Sequence, residues 1–242
     1  MKFGVQLYSL RETAEKKGAE EILRMVSEAG YDGVEFAGFY GKTPEEMLAL
    51  VKKYHLDPVS AHIGTNAIEE SLPYIDLLGI KYVFIPWESK DVFDEPEKFA
   101  DLGVRIQKAE SELKKRGVVL GYHNHAHEFE DGKDRLEQLF AAQPALKAEP
   151  DVFWLTVAGL SPVRYMQKLG ERLAMVHIKE AGKNPREDAQ PVVGEGIVDM
   201  GGVFAQMKQL GIEWAVLEVE KYPCGEEEYL RRSLENMKKL AK

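Results

Sequence analysis

Eight short runs rich in β-branched and aromatic residues recur along the chain, separated by longer stretches with helical periodicity. This alternation limits the fold more than any other feature. The runs cover residues 2–8, 33–36, 58–62, 82–86, 118–123, 146–151, 174–178 and 214–219. Between them, Ile22, Leu23, Val26 and Ala29 share one stripe of residues 20–29, and Met47, Leu48 and Val51 share one of residues 44–54. Thr43-Pro44-Glu45-Glu46 and Asp94-Glu95-Pro96-Glu97 carry helix-start chemistry. Gly30, Gly79, Gly117, Gly170 and Gly211 each end a helical stripe shortly before the next strand. Tyr82-Val83-Phe84-Ile85 and Val118-Val119-Leu120 are apolar without interruption, as expected of parallel strands covered on both faces by helices.

Repeated strand-helix units build either an open doubly wound sheet or a closed cylinder. No Gly-x-Gly-x-x-Gly turn follows the first strand, where a dinucleotide-binding sheet would carry it. The polar residues fall at the ends of many different strands, and only a cylinder brings such ends to one place. The chain has 242 residues, close to the roughly 250 of a typical (β/α)₈ barrel. The expectation is therefore an α/β protein with one (β/α)₈ TIM barrel domain over residues 1–242, without an interdomain linker.

A net charge of −9 opposes a phosphate-backbone partner, which needs clustered Lys and Arg. The short basic runs Lys114-Lys115-Arg116 and Lys238-Lys239 close helical stretches, where cations favour the negative dipole end. The single cysteine, Cys224, allows no intramolecular disulfide and fits a reducing compartment. The first ten residues are too short and too polar for a secretory signal, and no run is long enough to span a membrane. These features predict a cytoplasmic protein with a small-molecule partner, no nucleic acid and no membrane.

Glu35, His62, Trp87, His123, Asp151, His177 and Glu218 stand at or just past the ends of strands two to eight. Each has an ordinary explanation on its own. His62 fits a satisfied core histidine, Glu35 a lysine partner, Asp151 a helix cap and Glu218 a surface acid. Together, acids and imidazoles at one barrel mouth would repel or stay unpaired unless something neutralised them, and a divalent cation does so directly. His123, Asp151, His177 and Glu218 come from consecutive strands and form the expected ligand set. His123 and His125 share a side of their strand, so one can ligate while the other meets substrate. Glu35, His62 and Lys179 join the expected substrate-binding group, with Trp87 and Trp154 as apolar walls. The polar loop after His177 is an expected lid carrying Glu195 towards substrate.

The segments VQLYSLRE, GYDGVEF, VSAH, LGYHNHAHEF, EPDVFWLTVAG, VHIKE and VGEGIVD, in this order, resemble the xylose isomerase-like TIM barrels known as sugar phosphate isomerases/epimerases. The resemblance covers essentially the whole chain. It implies one divalent ion (Mn²⁺, Co²⁺, Zn²⁺ or Mg²⁺) held by a strand-five glutamate, a strand-six aspartate, a strand-seven histidine and a strand-eight glutamate. Asp151, His177 and Glu218 match that pattern. His123 stands in place of the strand-five glutamate, as in a histidine-bearing branch that resembles the inosose dehydratases. Family epimerases use the two glutamates as paired bases, so here Glu218 is the expected base, with His123 or Glu128 on the opposite side. The implied reaction is isomerisation or epimerisation of a keto-sugar or related polyol through an enediolate. The alternative is dehydration of a keto-inositol or keto-sugar. A non-catalytic sugar-binding barrel and a metal phosphoesterase are the rivals from other classes, and the acidic surface opposes the second. A homodimer is compatible with the resemblance, since related barrels often pair.

Overall fold

The computed structural model describes residues 1–242. Each of the eight runs forms a strand: β1 Lys2–Gln6, β2 Gly33–Phe36, β3 Asp57–His62, β4 Tyr82–Ile85, β5 Val119–His123, β6 Lys147–Glu149, β7 Val176–Ile178 and β8 Trp214–Leu217. All pairings are parallel and run β6-β5-β4-β3-β2-β1-β8-β7. The two ends of that order meet through isolated bridges, Ala148 with Leu173 and Asp151 with His177. Ala174 N–H donates to Ala148 O at 2.9 Å and His177 N–H to Pro150 O at 3.0 Å. The barrel therefore closes, and its β6–β7 seam is its most thinly bonded joint. Pro150 contributes to this because it has no N–H to give.

Inward-facing residues follow the two-residue period of a strand. Low in the cylinder, Val59, Phe84, Met175, Trp214 and Val216 pack into an apolar plug. Two glycines leave it room. A Cβ on Gly121 would stand 2.5 Å from the Phe84 ring, and one on Gly33 would stand 2.8 Å from Val59. Two residues further along the same strands, the lining turns polar, with Glu35, His123, His177 and Glu218 all buried. A register shift between Val34 and Glu35 in the β2–β3 pairing sits at the start of this polar layer.

The helix boundaries follow local chemistry with one exception. Thr43 accepts from Glu46 N–H at 3.2 Å while Glu46 accepts from Thr43 N–H at 2.8 Å, a reciprocal cap on the Pro44–Lys53 helix. Gly30 and Gly79 end their helices in the left-handed conformation. Asp94 caps nothing, because it pairs with the almost fully buried Arg135 at 2.8 Å and with Lys133 at 2.8 Å. No helix is long and apolar enough to cross a membrane.

The loop after β7 is not a lid. Glu180 is buried within it and accepts N–H bonds from Ala181 at 3.0 Å, Gly194 at 2.8 Å and Val198 at 3.0 Å. Val192, Val193 and Val198 consequently join the core. Gly196 is required at its position, since a Cβ there would stand 2.3 Å from Ala181 O.

Candidate metal centre

His123 ends β5, Asp151 lies just past β6, His177 is in mid-β7 and Glu218 follows β8. One donor atom from each lies within 4.8 Å of the others, and all four residues are buried. The expected ligand set is thus brought together. Asp151 divides its carboxylate between two tasks. Its Oδ1 accepts from Phe153 N–H at 2.8 Å and Trp154 N–H at 3.0 Å, capping the Val152–Val157 helix. Its Oδ2 has no hydrogen-bond partner, and neither has His123 Nε2, 3.6 Å away. Glu218 Oε2 lies 2.7 Å from His177 Nδ1 and 3.8 Å from His123 Nε2. Buried lone pairs without donors are costly, and here they converge on one point with mixed nitrogen and oxygen character. That donor set fits a divalent ion of the manganese, cobalt or zinc type.

A second group of donors, Glu35, His62, Glu149 and His177, lies behind the first. Glu35 Oε1 is 2.6 Å from His177 Nε2, 3.1 Å from His62 Nε2 and 2.6 Å from the Gln6 Nε2 that donates to it. His62 Nε2 also lies 2.9 Å from Glu149 Oε2. Burial works against charge on His62, but Glu35 and Glu149 outweigh it and raise its pKa to about 9. The same opposition holds Glu218 well below the usual carboxylate range, with Lys179 and His177 overcoming burial. Burial, aided by His123, pulls His125 down to about 3, so that ring is neutral. Of the four buried carboxylates Glu35, Glu149, Asp151 and Glu218, only Asp151 and Glu218 lie within 4 Å of the buried ammonium of Lys179, and the other two face imidazoles. The remaining charge falls to protons on the imidazoles or to a bound cation.

Above the first group opens a cavity of about 450 Å³, a size suited to a small-molecule ligand. Its walls include His62, His123, His125, Trp87, Trp154 and Glu218. Of the expected substrate-binding residues, His62, Trp87, His125 and Trp154 therefore face it. Trp87 is 54% exposed at the rim.

Four expectations are corrected. Glu35 is fully buried beneath the cavity and meets imidazoles instead of substrate. Lys179 is also fully buried, bonded to Glu220, 3.3 Å from Glu218 Oε1 and stacked 5.0 Å from the Trp154 ring, so it is a charge partner for the acids. Glu128 accepts from Tyr122 O–H at 3.0 Å and from His125 N–H at 2.9 Å, because the chain turns inward after β5. It supports the histidine turn and does not line the cavity. Glu195 pairs with Arg232 at 2.8 Å on the outer Glu226–Leu240 helix, where the bonds to Glu180 have drawn its loop.

Two residues escaped the sequence reading. Glu149 and Glu220 sit two positions from Asp151 and Glu218 respectively, and Glu220 lines the cavity. The two-residue period that aligns His123 with His125 was the signal available for both.

A sequence model of the xylose isomerase-like TIM barrel family matches residues 23–240. The chain belongs to this family. It is 19% identical over 254 residues to an inosose dehydratase from Geobacillus kaustophilus (strain HTA426), covering 85% of this chain and 81% of that protein. A sugar phosphate isomerase/epimerase from Parabacteroides distasonis ATCC 8503 superposes with a TM-score of 0.78 at 21% identity, covering 100% of this chain and 96% of that one. A D-allulose 3-epimerase from Methylomonas sp. does so with a TM-score of 0.75 at 14% identity, covering 99% and 96%. At these identities the superpositions establish the fold alone.

Proposed function

We propose that this member of the family is a divalent-metal-dependent isomerase or epimerase of a keto-sugar or related polyol, working through an enediolate. The observation that carries this reading is the pair of unpartnered buried lone pairs, His123 Nε2 and Asp151 Oδ2, which meet His177 and Glu218 at the floor of the cavity. His123, Asp151, His177 and Glu218 would hold the ion. When bound, a divalent ion supplies a Lewis acid that makes a C–H bond beside a carbonyl more acidic.

The protein's own groups account for the rest. Glu218 lines the cavity and is kept ionised by Lys179 and His177, so it is the proton-abstracting base. Lys179 never reaches the cavity and instead fixes Glu218 and Glu220 in place. His123 is committed as a ligand and Glu128 faces the core. The second side of the substrate is left to His125, a cavity residue whose Nδ1 has no partner. Trp87 and Trp154 supply apolar faces for a sugar ring.

A dehydratase reading has one observation in its favour. The residue opposite Glu218 is an imidazole instead of a carboxylate, and a neutral imidazole still has an N–H to donate to a departing hydroxyl. The similarity to an inosose dehydratase points the same way. A panel of keto-sugars and keto-inositols incubated in D₂O with manganese separates the two. Deuterium uptake with retention of all hydroxyls marks the isomerase, and uptake with loss of water marks the dehydratase. Absence of exchange across the panel, in a protein that also takes up no metal, rejects both.

A further inference from the structure

The two donor groups share His177, with one ring nitrogen in each: Nδ1 faces Glu218 at 2.7 Å and Nε2 faces Glu35 at 2.6 Å. Distances alone would allow an ion in either group, or in both. The chemistry of a neutral imidazole is more restrictive, because one nitrogen carries the proton and only the other has a lone pair to give. Two ions would require a bridging imidazolate. The arrangement instead matches a carboxylate that receives the N–H of a metal-ligating histidine.

Three observations say which nitrogen does which. The group around Nδ1 holds the unpartnered His123 Nε2 and Asp151 Oδ2 and opens onto the cavity through His123 and Glu218. The group around Nε2 also holds two unpartnered oxygens, Glu35 Oε2 and Glu149 Oε1, but no free nitrogen, since Glu35 Oε1 faces Gln6, His62 and His177, and Glu149 Oε2 faces His62. Glu35 is also fully buried and absent from the cavity wall. We infer that Glu35, backed by Gln6 and His62, holds the Nε2–H of His177 so that its Nδ1 lone pair faces the single ion proposed above. Glu35 touches neither substrate nor ion. It positions a ligand and, as an anion behind the ring, makes that ligand more basic. This rests on the metal reading proposed above.

The test begins with the wild-type chain and zinc, a diamagnetic ion. The expected stoichiometry is one zinc per chain. In ¹⁵N-labelled protein, long-range imidazole couplings should place the His177 proton on Nε2 and the ion on Nδ1. The Glu35→Gln variant keeps the shape and removes the charge, and its manganese Kd should rise about 10–100-fold. A purely structural Glu35 would lower the melting temperature of the metal-free protein while leaving Kd within about threefold of wild type. That result overturns the inference, as does a second tightly bound zinc or a His177 proton on Nδ1. If Glu35→Gln does not fold, the wild-type nitrogen assignment and stoichiometry still decide. A wild-type chain that takes up no divalent ion overturns the metal reading together with this one, whereas uptake with the nitrogens reversed overturns this one alone.

Discussion

Glu180 and Glu218 are both buried carboxylates just past the ends of neighbouring strands, yet their surroundings differ completely. Glu180 is met by the backbone N–H groups of Ala181, Gly194 and Val198, and both its oxygens are occupied. Glu218 receives no backbone N–H. It faces His177, Lys179 and the cavity. The first shapes a loop and the second is available to a ligand. Burial of a charged group therefore does not by itself mark a functional site. What marks it is the identity of its partners and whether lone pairs beside it remain unmatched, as they do on His123 and Asp151.

The largest effect that would sharpen this contrast is expected at Glu218. Glu218→Gln should cut deuterium exchange into a turnover substrate by about 10²–10⁴-fold, with circular dichroism unchanged. Wild-type exchange in that variant would remove the contrast altogether. Chelation comes next. Stripping manganese should abolish turnover, and restoring it at about 100 times Kd should stabilise the protein by about 2.7 kcal/mol, read as a rise in melting temperature. Glu180→Gln should show the opposite pattern. It should destabilise by about 1–3 kcal/mol, because an amide N–H₂ now confronts a backbone N–H, while manganese Kd stays at the wild-type value. A weakened Kd with intact stability would mean that the loop serves the site directly. Trp87→Ala should raise KM about 3–10-fold with kcat little changed, the loss of one exposed aromatic face. The smallest effect is expected at Glu195, whose exposed pairing with Arg232 is worth at most about 1 kcal/mol. Glu195→Gln should leave kinetics and melting temperature near wild type, and a fall in kcat would restore it to the catalytic surface.

The barrel and most of its floor were legible in the sequence because they depend on local rules. Strands buried on both faces must be apolar throughout, so Glu35, His123, His177 and Glu218 stood out as interruptions of such runs. Glu149 did not, since Pro150 breaks the pairing and moves attention to Asp151 beyond it. The role of Glu195 was misread for a different reason. Its position is set by Glu180, fifteen residues earlier, through bonds to backbone groups that carry no sequence signature. Glu128 was misread because the chain turns after β5 and its carboxylate closes on Tyr122 O–H and His125 N–H instead of reaching the cavity.

The thin joint between β6 and β7 ties these threads together. Asp151 and His177 are bridge partners across it and also two of the four donors around the candidate ion. Whatever draws those two side chains together also clasps the cylinder shut at the place where its own backbone contributes least. Amide protons at Ala174 and His177, which cross the joint, should therefore exchange more slowly as the ion is titrated in, giving a readout of occupancy that needs no knowledge of the substrate.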